Sequence, residues 1–331
     1  MGNRLTYIDI AKGICIILVV IGHFQPANTP AWYMQLIDII YTFHMPLFMY
    51  VSGFVYMKFR KPVKYTPFIW KKFKRLMIPY FLISILIISL KLLAERGMYV
   101  ENPVTLSSVY ETLYLPSAGF FLWFVYVLFL IFLIIPFFDT AKKINILLFI
   151  ALILVLIPVK TTGLFCLEQL KNHLFYFVLG CFICQYQAVR DKISRIPAWA
   201  ILFAFSIIYL PTTSISPLGD SLLAGKVFSL GLGVLGIAFV INLSRFIDSK
   251  MAAARKIFLH LAVYSFTIYL FHTTFQGLAK SVLLKFHLTE YLGDSAAFIS
   301  SILIVNTIGI IGPIILYLLD AKREKIMKKS S

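Results

Sequence analysis

Tyr7–Phe24 reads YIDIAKGICIILVVIGHF, an apolar run of 18 residues that nonetheless carries an acid, a base and an imidazole: Asp9, Lys12 and His23. A helix of that length crosses the hydrocarbon core of a bilayer. Each ionisable group placed there costs roughly 2.5–3.5 kcal/mol on insertion scales, so the three read as lining a protein-walled or water-filled functional cavity. Lys12 and His23 are 11 positions apart. At about 100° per residue they return to within about 20° of one another, and Asp9 lies within about 60° of both. One stripe of the helix therefore holds all three. At about 1.5 Å per residue the imidazole stands about 16 Å further along the axis than the ammonium. The plainer reading of Asp9 and Lys12 is a buried ion pair in which neither charge stands alone.

The rest of the chain has the same solvent. Of its 331 residues 60% are hydrophobic and 14% charged, with a mean hydropathy of +0.88. Soluble domains carry about 25% charged residues. A net charge of +17 suggests nucleic acid at first sight, but the basic residues cluster between apolar runs and line no polar domain. They read as topology signals, and nucleic acid is excluded as a partner.

Apolar runs near 7–25, 36–57, 76–94, 119–138, 144–159, 172–187, 197–211, 222–243, 257–280 and 295–319 predict about ten transmembrane helices. The fold class is then all-α, a polytopic integral membrane protein of one domain, 1–331, with no attached soluble domain, internal repeat or cleaved leader. With Lys12 set aside, 23 basic residues fall in the tails and in the connections after the second, fourth, sixth and eighth runs. Seven, among them Arg96, Lys160 and Lys280, fall on the other side. By the positive-inside rule both termini, Arg4 included, are cytoplasmic, and the even number of spans agrees. This predicts a multi-pass protein of the cytoplasmic (inner) membrane.

Four cysteines carry little signal: Cys181 and Cys184 make a C-x-x-C inside an apolar run, with no second Cys or His pair near in sequence. Inert packing is the reading, with no metal site. Gly231, Gly233 and Gly236 form a small-residue stripe suited to helix packing, within the protein or between copies. In the second run, LIDIIYTFHMPLFMYVSGFVYM, His44 is followed by Pro46 and Ser52–Gly53. Proline bends a helix and small residues let helices approach, so His44 and Ser52 are candidates to line a substrate channel. The alternative is a kinked packing helix whose His44 bonds a neighbouring backbone group. At FIWKKFKRLMIPYF, Lys71, Lys72, Lys74 and Arg75 run straight into the third span. Most such residues are interfacial anchors. Arg75, four residues before Pro79, could grip a phosphate bidentately, with Lys71 and Lys72 holding further oxygens.

The segments DIAKGICIILVVIGH, FHMPLFMYVSGF, FIWKKFKRLMIPY, GFFLWFVYVLF and YSFTIYLFHTTF, in this order and spacing, resemble the acyltransferase-3 family of integral membrane acyltransferases. Within it the chain is most similar to the branch related to fucose 4-O-acetylase. The likeness covers essentially the whole chain. It implies a ten-helix protein that takes acetyl from cytoplasmic acetyl-CoA and delivers it to a sugar hydroxyl of a cell-surface or lipid-linked glycan. Position by position, the family's basic-x10-His pair falls on Lys12 and His23, its acid on Asp9, and its basic cluster on Lys71, Lys72 and Arg75. Many members have arginine where this chain has Lys12; lysine keeps the charge without the planar fork. Trp123 matches the tryptophan of the LWF block and His272 the histidine of the YSFTIYLFH block, both as substrate-channel residues. For His272 a satisfied core histidine is the alternative; His173, His260 and His287 are assigned no role.

Thioester-to-ester transfer needs a hydroxyl made nucleophilic and an oxyanion stabilised. His23 is expected to act as general base on the acceptor hydroxyl, or to carry the acetyl itself as an acyl-imidazole. Asp9 and Lys12 would organise the cytoplasmic entrance. Acetyl-CoA is the acyl donor, its phosphates on Lys71, Lys72 and Arg75 with the pantetheine arm threading inward, and no cofactor is permanently bound. Two other classes fit the composition: a transporter or flippase of a lipid-linked saccharide, which needs no deep histidine facing a phosphate-gripping cluster, and an assembly subunit of a glycan-exporting complex.

Overall fold

Every one of the ten apolar runs forms a helix in the computed structural model, which describes residues 5–26, 29–62, 64–95, 103–157, 163–214, 222–285 and 295–330. Arg4, Arg96, Lys160 and His287 lie outside the described residues. The helices are α1 (Thr6–Gly22), α2 (Ala31–Lys58), α3 (Tyr65–Ala94), the single turn α4 (Ser108–Glu111), α5 (Trp123–Ile134), α6 (Ala141–Leu156), α7 (Leu167–Gln185), α8 (Gln187–Ser194), α9 (Ala198–Ser214), α10 (Leu222–Lys250), α11 (Ala252–Lys285) and α12 (Ser295–Ser330). No strand occurs among the described residues. In lipid a backbone must satisfy its own polar groups, and a lone segment does so only as a helix.

Six helices are long and apolar enough to cross a membrane: α2, α3, α5 with its flanking 3₁₀ turns, α10, α11 and α12. The pair α8 and α9, bent by 85° at its break, makes a seventh if it counts as one span. Such a chain is a polytopic membrane protein. Helix ends differ from the apolar runs where charge lies. α3 begins at Tyr65, well before the run at 76, because Lys and Arg are good helix formers and carry the helix past the hydrocarbon edge. Pro46, Pro79 and Pro313 sit inside α2, α3 and α12 without ending them, whereas Pro136 opens a 3₁₀ turn that closes α5.

Two compact units form, divided inside α2 between His44 and Met45 and inside α10 between Leu235 and Gly236. In the first, α11 lies between α1 and α12. It runs parallel to α1, since Gly13 meets the backbone of Phe258 and His23 meets His272. It runs antiparallel to α12, since Tyr264 meets Tyr317 and Gln276 meets Asn306. Gly13 is needed there because a Cβ would collide with the Phe258 carbonyl oxygen.

The second unit holds α3 to α9 with the remaining parts of α2 and α10. Here α2 and α7 touch backbone to backbone in both directions: Gly53 faces the carbonyl of Phe177, and Gly180 faces Tyr50 and Phe54. Between membrane helices there is no hydrophobic drive, so close approach through small residues supplies the packing. The Cys181 thiol donates to the Gly53 carbonyl at 3.3 Å, which accounts for half of the C-x-x-C as packing. The glycine stripe on α10 divides. Gly233 receives the Tyr176 hydroxyl, 2.5 Å from where a Cβ would stand, Gly236 receives the Phe43 ring, and Gly231 faces open space.

Candidate active site at the end of the first helix

A helix ends with carbonyls that have no intrahelical donor, and in a membrane that deficit must be met by side chains. α1 stops at Gly22, and His23 is its C-cap, still in right-handed helical conformation (φ −89°, ψ −2°). The rotation that aligns Lys12 with His23 therefore holds to the last residue. The carbonyls just before it are each capped from another part of the first unit. Gln276 Nε2 of α11 donates to Val20 O at 2.8 Å. The Tyr33 hydroxyl of α2 donates to Ile21 O at 3.1 Å. Gly22 O accepts from Gln25 Nε2 and from the Tyr41 hydroxyl, both at 2.9 Å. Gln25 also donates to the Tyr41 oxygen at 3.2 Å. Four side chains thus fix three successive carbonyls and, with them, the backbone that carries His23.

His23 meets a second imidazole. The rings of His23 and His272 lie 5.0 Å apart at 55°. His272 is fully buried, and its Nδ1 lies 2.8 Å from Tyr269 O and 3.1 Å from Ile268 O. Carbonyls only accept, so Nδ1 carries the proton and Nε2 holds the lone pair in the neutral ring. One turn on, Gln276 bonds Val20 and also donates to Asn306 Oδ1 of α12 at 2.9 Å. Gly309 leaves the space for this: a Cβ there would stand 2.9 Å from Gln276 Cγ and 3.3 Å from Val20 Cγ1. The Lys280 ammonium lies 5.6 Å from the Phe24 ring centroid, a positive charge beside the residue that follows His23. The cluster pairs a proton-accepting imidazole with amide donors and a cation, the elements that acyl transfer to a hydroxyl requires.

The other candidates take separate places. Asp9 lies in the first turn of α1 and, like Lys12, is half-buried. His44 is buried on α2; its Nδ1 bonds Ile40 O at 2.8 Å, its ring is 4.9 Å from that of Tyr41, and its carbonyl accepts the Cys15 thiol at 3.1 Å. The packing alternative for His44 thus has a definite partner.

In the second unit Ser52 is half-buried next to the Gly53 contact. Lys71 and Arg75 are exposed on α3, while the Lys72 ammonium stands 3.7 Å from the Phe132 ring centroid and 5.3 Å from that of Phe68. Two of the three basic residues present their charge outward and one holds it against aromatic faces. Trp123 opens α5 with its ring 4.6 Å from that of His173. His173 also bonds Gln169 O through Nδ1 at 2.8 Å, and near it Glu168 accepts from Asn172 at 3.0 Å and pairs with Lys171 at 3.2 Å.

Sequence reasoning missed Tyr33, Tyr41, Gln276 and Asn306. A signal for two of them exists: Gln276 and Asn306 are amides inside the apolar runs 257–280 and 295–319. Polar side chains within spans deserve the same attention as charges, because they too need partners. The two tyrosines carry no such mark, since Tyr is common in apolar runs at membrane interfaces.

Residues 5–318 match the family model described as an acyltransferase domain, Acyl_transf_3. The chain is similar to the nodulation protein NolL of Mesorhizobium japonicum, 29% identical over 149 residues, which is 44% of this chain and 38% of that protein. It is also similar to the nodulation protein NolL of Sinorhizobium fredii, 47% identical over 58 residues, 16% of each chain. The matched stretches thus span well under half the length of these relatives. No solved structure matches the chain.

Proposed function

We propose, since this chain belongs to the acyltransferase-3 family, that it moves an acetyl group from acetyl-CoA to a hydroxyl of a cell-surface or lipid-linked glycan, with His23 taking the hydroxyl proton. The observation that carries this reading is the fixed end of α1: four donors hold the backbone under an imidazole that faces a second one. A general base must be pre-positioned within reach of the proton it abstracts, and capping three consecutive carbonyls does that without any charge on the ring.

In this reading the acceptor oxygen attacks the thioester carbonyl carbon as His23 accepts its proton. The intermediate collapses with cleavage of the C–S bond, and the imidazolium returns the proton to the departing thiolate. Transfer through an acyl-imidazole on His23 uses the same side chain. Lys71, Lys72 and Arg75 take the phosphates of the coenzyme from the cytoplasmic side, in an inner membrane with both termini inside. Their exposure on α3 supports Lys71 and Arg75 for this more directly than Lys72. The parallel course of α1 and α11, with α12 reversed, supports the even number of spans. Ser52, His44, Trp123 and His272 then line the path of the acyl group or acceptor, and Asp9 with Lys12 shapes its inner end.

The test is release of free coenzyme A from acetyl-CoA by the purified protein, with methyl glycosides as hydroxyl donors. General base catalysis is worth about 10²–10⁴-fold, so His23→Ala in a protein that still folds is expected to lose at least about a hundredfold in rate. Unchanged turnover in His23→Ala would refute the role of the imidazole. A flippase or an assembly subunit releases no coenzyme A at all.

A further inference from the structure

We propose that the side-chain amide of Asn306 is the hydrogen-bond donor to the acyl oxygen, oriented for this by Gln276. The proposal rests on the acyl-transfer reading above and deepens it. Its basis is a chain of forced orientations. Val20 O can only accept, so the Gln276 side chain must direct Nε2 toward it, at 2.8 Å. The second N–H of the same nitrogen then meets Asn306 at 2.9 Å, and the Asn306 atom there must be the oxygen. The Asn306 amide is thereby turned with Nδ2 away from Gln276. No flip of either side chain satisfies both contacts, so the assignment does not depend on telling nitrogen from oxygen.

Beyond Gln276, the Asn306 amide has the Tyr33 hydroxyl as a hydrogen-bond partner, and Gln276 Oε1 closes no hydrogen bond among the described residues. Both residues are more than nine-tenths buried, Gln276 at 2% exposure and Asn306 at 7%. The Tyr33 hydroxyl donates its own proton to Ile21 O, so toward Asn306 its oxygen accepts. An amide nitrogen carries two N–H groups, so one stays available even if Tyr33 takes the other. A second amide N–H shut away from water inside a membrane is costly to leave without an acceptor, and a catalytic role is one of the explanations such a group calls for. Here it sits one hydrogen bond from Gln276, which is one helical turn from His272 and bonded to the carbonyl three residues before His23. In a water-excluded setting a donor of this kind is strongest toward developing negative charge.

The step balances as follows. The acceptor hydroxyl oxygen forms a bond to the thioester carbonyl carbon and gives its proton to His23. The carbonyl π pair moves onto the acyl oxygen, where the Asn306 N–H stabilises it. The pair then re-forms the C=O as the C–S bond breaks, and the thiolate leaves with the proton from His23. No oxidant or reductant is involved. Gln276 touches no reacting atom and is a positioning residue; Asn306 touches the acyl oxygen.

The experiment uses the full chain in detergent or liposomes, acetyl-CoA with methyl glycosides, and the variants Asn306→Asp and Asn306→Leu. Loss of one oxyanion donor costs about 10²–10³-fold in kcat, and that fall is expected in both variants near neutral pH with the KM for acetyl-CoA little changed. Asp keeps the oxygen that Gln276 requires, and when protonated it offers an O–H in place of the N–H. The rate of Asn306→Asp relative to wild type is therefore expected to rise as the pH is lowered, a signature that lost packing would not produce. A kcat for both variants near that of wild type, a change in KM alone, or a ratio flat in pH would each overturn the proposal. If Asn306→Leu fails to fold, the pH course of Asn306→Asp still decides. If wild type itself releases no coenzyme A, the acyl-transfer reading falls first and this inference with it.

Discussion

Replacing Gln276 by Leu removes both hydrogen bonds by which α11 holds the end of α1 and the face of α12. Val20 O loses its side-chain donor, 2.8 Å away, and keeps only the backbone N–H of His23 at 3.3 Å. Asn306 Oδ1 loses its donor at 2.9 Å. A buried acceptor left without a donor costs about 1–3 kcal/mol, and leucine of similar size recovers part of that through its apolar surface. The fold is therefore expected to survive with a loss of about 1–3 kcal/mol. Turnover is expected to suffer more, because the carbonyl being released lies three residues before His23, the proposed general base. Misplacing a catalytic group by about 1 Å costs on the order of 10²-fold, so kcat is expected to fall about 10- to 100-fold with the KM for acetyl-CoA nearly unchanged. Coenzyme A release, analysed for kcat and KM separately alongside a thermal melt, provides the measurement. A variant with wild-type kcat and a lowered melting temperature would refute the reasoning, since it would make the clamp a matter of stability alone.

Four other outcomes follow from the surroundings of single residues in the two units. Gly53→Val places a branched side chain against the carbonyl oxygen of Phe177, a backbone atom that cannot swing aside, so the expected loss is at the upper end of or beyond the roughly 1–3 kcal/mol of ordinary overpacking; a melting temperature equal to wild type would show that the α2–α7 contact is looser than described. Tyr33→Phe leaves Ile21 O with only the Phe24 N–H at 3.1 Å, and is expected to cost about 0.5–1.5 kcal/mol and a smaller share of kcat than Gln276→Leu. Neutralising exposed Lys71 and Arg75 together is expected to raise the KM for acetyl-CoA and to flatten its dependence on salt. Lys72→Met, whose charge lies on the Phe132 ring, is expected to do less; the reverse order of effects would place the phosphates on Lys72 instead.

Local physics was legible in the residues. Each of the ten apolar runs is a helix because backbone polar groups in lipid have no partner but their own segment. Lys12 and His23 share a stripe because α1 runs unbroken from Thr6 to Gly22 and His23 keeps helical dihedrals. The same reasoning marked Ser52–Gly53 as a place of close helix approach, and Gly53 does meet the Phe177 backbone. It misjudged where α3 begins, because the basic segment before the apolar run was read as connection, although lysine and arginine propagate a helix as readily as they anchor one.

What the sequence by itself determined is thus the membrane solvent, the helices and the stripe that carries His23, since each depends only on neighbours within a few turns. The company His23 keeps was decided by tertiary structure alone. Gln276 and Val20 are 256 residues apart, and nothing in the periodicity of either helix indicates that an amide of α11 will cap a carbonyl of α1. The orphan carbonyls at a helix end demand donors without naming them; which donors arrive depends on how closely the helices pack, and that is set by residues such as Gly13 and Gly309 whose effect appears only once their partners are in place.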